Sequence, residues 1–252
     1  MFEWAMPVMS PIQLHTVFEI AAYAVGTQVF LWQRRRLNLS ALNDKDRTLL
    51  VVVGAAIGAA LGSKLAFWIE DPLAAFANFP DWRHLLEGKS IVGGLLGGLV
   101  GVESTKKAIG VRSSTGDAFV LPLAVGMSVG RIGCFLSGLA DHTYGNPTSL
   151  PWGVDFGDGI PRHPTQLYEI AFIAIWTTFL FWRKSPNTQT GDLFRAYLVG
   201  YLLFRLCIDA IKPIPMLYPP GLSGIQWLCV IGLAYYAKHL PRLGKELAWA
   251  TR

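Results

Sequence analysis

The chain has 252 residues, of which 52% are hydrophobic and 15% charged, and its mean hydropathy is +0.38. These values exclude an ordinary soluble domain of this length and favour a protein that lies within a membrane. The net charge of +5 does not indicate nucleic-acid binding, because the basic residues form short clusters between long apolar stretches. We therefore expect a polytopic membrane protein with no nucleic-acid partner.

Seven apolar stretches are about 20 residues long, the length that crosses a bilayer core. The N-terminal residues that precede them, MFEWAMPVMSPIQLH, lack the basic region of a cleavable signal peptide, so the first stretch should stay in the mature protein. Helices are expected, because a bilayer core offers no water to the backbone. The predicted spans cover about 14–33, 47–69, 90–107, 117–138, 164–182, 192–211 and 222–239. The predicted fold class is an all-α helix bundle.

Basic residues predict the orientation, since cytoplasmic loops carry the excess of Lys and Arg. With the N-terminus outside, the inner loops hold fourteen of them: Arg34, Arg35, Arg36, Lys45, Arg47, Lys106, Lys107, Arg112, Arg183, Lys184, Lys238, Arg242, Lys245 and Arg252. The outer loops hold Arg83, Lys89, Arg162 and Lys212. An odd number of spans then places the C-terminus in the cytoplasm.

Glycine stripes mark the second and third spans. Gly54, Gly58 and Gly62 repeat at a spacing of four, and the third span carries Gly93, Gly94, Gly97, Gly98 and Gly101. Such stripes let two helix backbones approach closely, which predicts that these spans form the centre of the bundle. Generic glycine enrichment of membrane helices is the alternative.

We expect one transmembrane domain over residues 1–252, with segments 70–89 and 139–163 on the outer side. The first segment should form a short helix along the interface, anchored by Trp82. Cys134, Cys207 and Cys229 have no spacing typical of disulfides or zinc sites, so we interpret them as buried hydrophobic residues.

Arg131 is the first candidate for chemistry. It lies near the outer end of the fourth span in VGRIGCFLSG, where Gly130 and Gly133 leave room for a ligand. A guanidinium binds two phosphate oxygens at once, so this position suits a phosphate. A structural ion pair or a side chain that reaches towards water is the alternative.

In the sixth span, Arg205 and Asp209 are four residues apart and therefore lie on one helical face, with Tyr201 one turn earlier. An ion pair within the helix and a contact from Arg205 to a lipid phosphate are both open.

The segment RHPTQLYE stands at the outer start of the fifth span, where Pro164 suits the first helical turn. Arg162, Gln166 and Glu169 are predicted to share a helix face beside His163. An imidazole and a carboxylate together suit acid–base chemistry, whereas a solvated helix cap is the alternative.

In the first span, His15 and Glu19 are four residues apart, and Lys64 and Glu70 lie at the outer end of the second. A structural pair between Glu19 and Lys64 is one possibility. Because the sequence has no glycine-rich nucleotide loop, HExxH or CxxC pattern, we expect neither a cofactor nor a metal.

GRIGCFLSG, YGNPTSLPWGV and RHPTQLYE together resemble the motif region of the prolipoprotein diacylglyceryl transferase family, bacterial inner-membrane enzymes that begin lipoprotein maturation. SIVGGLLGGLVG resembles the third helix of the family, TGDAFVLPLAVG the helix that leads into the signature, and GYLLFRLCIDAIKP the sixth helix. The resemblance therefore covers most of the chain, in order.

The resemblance implies transfer of the diacylglyceryl group of phosphatidylglycerol to the thiol of a lipobox cysteine in a prolipoprotein signal peptide, with release of glycerol phosphate. It implies that Arg131 holds the headgroup, that Gly145 closes the signature and that Arg205 is a second essential arginine. The expected catalytic residues are Arg131, Arg205 and His163. The expected substrate-binding residues are Arg131, Gly133, Ser137, Gly145, Arg162, Gln166, Glu169, Glu19 and Lys64.

Several positions depart from the family pattern. Val92 stands where the third helix usually has a histidine, Cys134 and Ser137 replace asparagines, and the tyrosine of the first helix is replaced near Phe18 and Glu19. His163, Glu19 or another group then becomes the base, or the acceptor substrate differs. A lipid-binding or transport protein without catalysis is a further alternative.

Overall fold

The computed structural model describes residues 10–37, 44–77, 88–185 and 188–249, most of which are helical. The helices are α1 (Pro11–Leu37), α2 (Lys45–Glu70), α3 (Pro72–Phe76), α4 (Ile91–Ala108), α5 (Val120–Ser137), α6 (Thr165–Arg183), α7 (Asp192–Ile208), α8 (Gly224–Tyr236) and α9 (Leu240–Trp249). Short 3-10 turns adjoin them at Gly116–Phe119, Gly138–Asp141, Asp209–Ile211 and Ala237–His239. The all-α prediction is confirmed.

Each of the seven predicted spans coincides with a helix, alone or with an adjoining 3-10 turn. By length and composition, three helical segments of the described chain are able to cross a membrane: Pro11–Arg35, Lys45–Glu70 and Gly116–Asp141. The other four crossings and the orientation of the termini stay predictions.

The two predicted outer segments contain different structures. In the first, Asp71 caps the short helix α3 by accepting a hydrogen bond from the Ala74 N–H at 2.9 Å. Trp82, the predicted interfacial anchor, and Arg83 lie outside the described residues. The second segment contains an antiparallel hairpin of β1 (Val154–Asp155) and β2 (Pro161–Arg162), which the sequence analysis did not predict.

The chain divides into two compact units. The first includes the described residues of Met1–Trp32, Leu121–Thr178 and Ile211–Pro213. The second includes those of Gln33–Val120, Phe179–Ala210 and Ile214–Arg252. This division does not test the expectation of one transmembrane domain, which stays a prediction.

In the first unit, α1 packs closely on α5 through small residues. A Cβ added at Gly126 would lie 3.2 Å from the Ala22 carbonyl oxygen, and one added at Gly133 would overlap the Phe18 side chain. The Ser137 hydroxyl lies 2.9 Å from the Pro11 carbonyl oxygen and 2.8 Å from that of Gly133. The C-terminal end of α5 is therefore fixed against the start of α1.

In the second unit, the glycine stripes of α2 and α4 face each other, as predicted. A Cβ added at Gly58 would overlap the carbonyl oxygen of Gly97, and one at Gly97 would overlap that of Gly58. The same reciprocal overlap relates Gly62 to Gly93. A Cβ at Gly101 would overlap the Gly54 carbonyl oxygen, whereas one at Gly54 would overlap the Thr105 side chain. Backbone lies directly against backbone here, which only residues without a side chain allow.

The remaining helices of this unit are held by polar contacts at their ends. The Asp117 carboxylate accepts hydrogen bonds from the Gly191 and Phe194 N–H groups at 2.7 and 3.1 Å, which satisfies the start of α7. Ser223 and Gln226 form a capping box at the start of α8. Arg242 of α9 donates to Asp192 of α7 at 2.6 Å, which joins these two helices.

The cysteines follow the predicted burial in two of three cases. Cys134 and Cys229 are buried, whereas Cys207 is exposed. The prediction for Cys207 is wrong because an apolar stretch identifies the helix α7 but not the face that its packing leaves outward.

Replacing Gly97 by alanine should destabilise the α2–α4 contact, because the new methyl group would overlap the Gly58 carbonyl oxygen. We expect Gly97→Ala to lower the unfolding free energy by about 1 to 3 kcal/mol, the usual cost of overpacking. Gly98→Ala is the matched control, because its methyl group would lie 3.5 Å from the Ala55 carbonyl oxygen, an ordinary contact. Thermal unfolding in detergent compares them, and equal midpoints for both variants would contradict the close backbone contact.

Candidate functional site

Arg131 forms the polar centre of the first unit. Its Nη2 lies 2.9 Å from Oε2 of Glu169, and the two side chains are 7% and 1% exposed. Arg131 belongs to α5 and Glu169 to α6, so the ion pair joins two helices. Because a buried charge is costly unless it is paired, this contact fixes the guanidinium in one place.

Cys134 lies one turn after Arg131 on α5. The Nη1 of Arg131 is 3.8 Å from the Cys134 sulfur, which is a weak acceptor. The cysteine therefore occupies space beside the guanidinium without offering the strong amide contact of the asparagine that the family resemblance implies at this position.

Gly145 lies where two segments of the chain pass close to each other. An added Cβ would be 2.6 Å from the Cβ of His163 and 2.9 Å from the Ile211 carbonyl oxygen. The Gly145 N–H also donates to the His163 carbonyl oxygen at 2.9 Å. The signature glycine thus holds its loop against the start of α6, and a larger residue would displace His163.

The helix of RHPTQLYE begins later than predicted. Thr165 is the first residue of α6, while Arg162 belongs to strand β2 and pairs with Val154. The prediction that Arg162 shares a helix face with Gln166 and Glu169 is wrong, because strand pairing holds the chain extended before Pro164.

Arg162 instead completes the hairpin loop. Its Nη1 donates to Oδ1 of Asp158 at 2.6 Å and to the Ile160 carbonyl oxygen at 3.0 Å. The guanidinium beside Asp158 holds the pKa of that carboxyl below its usual range. Arg162 therefore has a clear structural task, and its substrate contact stays a prediction.

Gln166 and Glu169 are buried on α6, as expected for the inner face of this helix. The Gln166 amide donates to the Thr143 hydroxyl at 3.1 Å, and the Thr165 hydroxyl donates to the Thr143 carbonyl oxygen at 2.6 Å. The buried Oε1 of Gln166 has no hydrogen-bond partner among the described residues. An uncompensated buried acceptor of this kind suits a ligand donor.

His163 points towards an aromatic pair. Its Nδ1 lies 3.2 Å from the Tyr168 hydroxyl, and the same hydroxyl accepts a hydrogen bond from Nε1 of Trp152 at 2.8 Å. The ring is half-buried. The structure thus places the predicted proton acceptor in contact with a phenol rather than with a carboxylate.

Asp141 is a polar residue that the sequence analysis missed. It ends the 3-10 turn after α5, and its Oδ1 lies 2.7 Å from Nδ1 of His15. The other ring nitrogen of His15, Nε2, lies 3.9 Å from Oε2 of Glu19. The signal available in the sequence was a carboxylate a few residues beyond the GRIG motif, in GLADH, but its partner is more than a hundred residues away along the chain.

The second unit contains Arg205, Asp209 and Lys64. Nη2 of Arg205 lies 2.7 Å from Oδ1 of Asp209, which begins the turn after α7, so the ion-pair alternative for these two residues is observed. The Ile225 N–H donates to Oε2 of Glu70 at 2.7 Å, and Lys64 donates to the Gly88 carbonyl oxygen at 2.7 Å. The pair of Lys64 with Glu19 stays a prediction.

Most predicted site residues lie in the first unit, where Arg131 contacts Glu169 and where Gly145 contacts His163. A further set of three possible ligand groups, His15, Cys134 and Asp141, lies within 4.8 Å of one another in that unit. Arg205 and Lys64 lie in the second unit.

Comparison with known proteins identifies similar sequences along most of the chain. A family described as prolipoprotein diacylglyceryl transferase matches residues 4–238. The phosphatidylglycerol-prolipoprotein diacylglyceryl transferase of Bordetella parapertussis is 35% identical over 191 residues, which cover 71% of this chain and 68% of the relative. The protein of that name from Clostridium tetani is 30% identical over 255 residues, with 94% and 100% covered. The one from Bordetella avium is 32% identical over 241 residues, with 87% and 86% covered.

Removing the charge of Glu169 should destabilise the protein, because the buried guanidinium of Arg131 would lose its carboxylate partner. We expect Glu169→Gln to lower the unfolding free energy by about 3 to 5 kcal/mol. The double variant Arg131→Met with Glu169→Gln removes both charges and should recover part of the loss. Chemical denaturation in detergent measures both variants, and a double variant less stable than the single one would refute the ion-pair account.

Proposed function

Because the chain belongs to the prolipoprotein diacylglyceryl transferase family and transfers a diacylglyceryl group from phosphatidylglycerol to prolipoproteins, we propose that Arg131 binds the phosphate of the lipid donor. The observation that carries this proposal is the buried ion pair between Arg131 and Glu169. It fixes a planar donor group, and such a group matches the oxygens of a phosphodiester.

The reaction needs a base for the thiol and a stabilised leaving group. The thiol loses its proton to the base as its sulfur attacks the glycerol carbon, the bond from that carbon to the phosphate oxygen breaks, and glycerol phosphate leaves with the electron pair. A guanidinium held beside the phosphate stabilises the charge that develops on this oxygen. Glu169 acts through Arg131 and is a positioning residue in this mechanism.

Arg205 is proposed as a second phosphate-binding residue, as the family resemblance implies. Its ion pair with Asp209 fixes the guanidinium within the second unit, where the side chains of the pair are 9% and 5% exposed. Asp209 would therefore serve Arg205 as Glu169 serves Arg131.

The remaining predicted binding residues lie in the first unit, apart from Lys64 in the second. Gly133 and Gly145 allow close packing, and Gln166 offers an unsatisfied buried oxygen. We propose that His163, Arg162, Ser137, Glu19 and Lys64 also contact substrate. For His163, the phenol contact favours a role as a hydrogen-bond donor, and its role as the proton acceptor is the alternative.

The acceptor is proposed to be the lipobox cysteine of a prolipoprotein signal peptide. We further propose a multi-pass protein of the bacterial inner membrane, surrounded by membrane lipids, with seven spans, the N-terminus outside and the C-terminus in the cytoplasm. The excess of Lys and Arg in the predicted inner loops supports this orientation.

The role of Arg131 is tested by mass spectrometry of a synthetic lipobox peptide incubated with the full chain and phosphatidylglycerol vesicles. The parent protein should add a diacylglyceryl mass to the peptide. We expect Arg131→Lys to lower kcat/KM by at least about 100-fold, because lysine keeps the charge but loses the planar donors. Arg112→Lys is the matched control at an exposed position.

The control variant should retain the rate of the parent protein. Transfer at an undiminished rate by a folded Arg131→Lys variant would overturn the proposed headgroup contact. A parent protein that modifies no lipobox peptide would instead overturn the proposed acceptor.

A further inference from the structure

His15 and Asp141 form a dyad in which the imidazole is partly exposed and the carboxylate is buried. The His15 side chain is 37% exposed and that of Asp141 is 6% exposed, while Nδ1 of His15 lies 2.7 Å from Oδ1 of Asp141. The other carboxylate oxygen of Asp141 accepts a hydrogen bond from the Thr143 hydroxyl. The Thr143 hydroxyl therefore fixes the carboxylate beside His15, and the imidazole remains accessible to a substrate.

This contact decides which nitrogen of His15 carries the proton. A carboxylate only accepts hydrogen bonds, so at 2.7 Å the proton belongs on Nδ1 and the lone pair on Nε2. The N–H of Nδ1 is not aligned on the oxygen in this conformation. Because the χ2 torsion of histidine is broad, a modest ring rotation aligns it, and catalytic hydrogen bonds commonly tighten when substrate binds.

The hydrogen bonds around His163 favour the opposite tautomer, with the ring proton on Nε2. The indole of Trp152 can only donate, so it uses the Tyr168 oxygen as its acceptor. The phenol proton of Tyr168 then has Nδ1 of His163 as its acceptor among the described residues. The remaining proton of a neutral His163 lies on Nε2, which makes this nitrogen a donor. His15 thus offers a proton acceptor where His163 offers a proton donor.

His15 also lies beside the proposed headgroup site. Its ring, the Cys134 sulfur and the Asp141 carboxylate have ligand atoms within 4.8 Å of one another, and the same sulfur is 3.8 Å from Nη1 of Arg131. The groups that face the ring are Asp141, Glu19 and Cys134, and Cys134 in turn contacts Arg131. Glu19, 3.9 Å from Nε2, would stabilise the imidazolium that forms on proton uptake.

We infer that His15, oriented by Asp141, accepts the proton of the peptide thiol during diacylglyceryl transfer, an assignment that rests on the proposed function. The thiol proton moves to Nε2 of His15 while the sulfur forms its bond to the glycerol carbon. The bond from that carbon to the phosphate oxygen breaks, and glycerol phosphate carries away the electron pair. His15 later returns the proton to water. Val92, which stands at the usual histidine position of the family, has no proton-accepting group.

The test measures kcat of the full chain with saturating phosphatidylglycerol vesicles and lipobox peptide between pH 6.5 and 8.5. His15→Ala should lower kcat about 10²- to 10⁴-fold at neutral pH, the usual contribution of a general base. The deficit should shrink about tenfold per pH unit above pH 7, because a free thiol with a pKa near 8.5 ionises by itself. His163→Ala should show a deficit that does not shrink in this way.

Two further readouts separate catalysis from folding. Added imidazole should restore activity to His15→Gly and leave His163→Gly unchanged. Asp141→Asn should lower kcat with little change in KM, since it favours the wrong tautomer of His15. A pH-independent deficit in His15→Ala, or rescue of His163→Gly alone, would overturn the assignment.

Lipid binding distinguishes failure of this inference from failure of the proposed function. His15→Ala should retain phosphatidylglycerol with parental affinity, whereas Arg131→Lys should lose it. Full lipid binding by Arg131→Lys would refute the headgroup contact and leave the His15 result standing. Stoichiometric zinc in the active protein, with loss of activity on chelation, would make His15, Cys134 and Asp141 metal ligands and overturn the proton-acceptor role.

Discussion

The ion pair between Arg131 and Glu169 joins two helices of the first unit at one buried point. Both side chains are almost entirely removed from water, so each charge requires the other, and α5 and α6 must meet at this point. The loop between α5 and α6 therefore has to connect two helices whose positions are fixed. Gly145 makes that path possible, because it passes His163 and Ile211 where no side chain would fit.

The second unit depends on a different constraint, the contact of α2 with α4 through glycine. Here the stabilising force is close packing of backbones, which needs small residues at a spacing of four. Asp117 and the capping box of Ser223 then satisfy the exposed ends of α7 and α8. Polar contacts join the ends of the other helices, as where Arg242 of α9 meets Asp192 of α7, whereas the pair of Arg205 and Asp209 links α7 only to the turn that follows it.

Features with a local periodic signal could be predicted from the sequence. The seven helices follow from apolar length, the glycine contact from a repeat of four, and the Arg205–Asp209 pair from their spacing. The prediction of a helical position for Arg162 was wrong because a strand of two residues leaves no periodic pattern in the sequence. The prediction that Cys207 is buried was wrong because an apolar stretch does not show which helix face is exposed.

Asp141 was missed for a different reason. Its partner His15 lies on the first helix, and the packing of Phe18 on Gly133 brings α1 to the C-terminal end of α5. A positive φ of 60° at Gly138 and of 53° at His142 turns the chain on both sides of Asp141. Tertiary packing and turn geometry together create the dyad, and neither is visible as a motif.

The most direct test of the account is the distance from the lipid phosphorus to the Arg131 guanidinium. Solid-state NMR on protein with ¹⁵N-labelled arginine and bound phosphatidylglycerol measures ³¹P–¹⁵N dipolar coupling, and Arg131→Lys identifies the signal. The account predicts a coupling that corresponds to about 4 Å, as expected for a charge-assisted hydrogen bond to a phosphate oxygen. A coupling that persists unchanged in Arg131→Lys would contradict it.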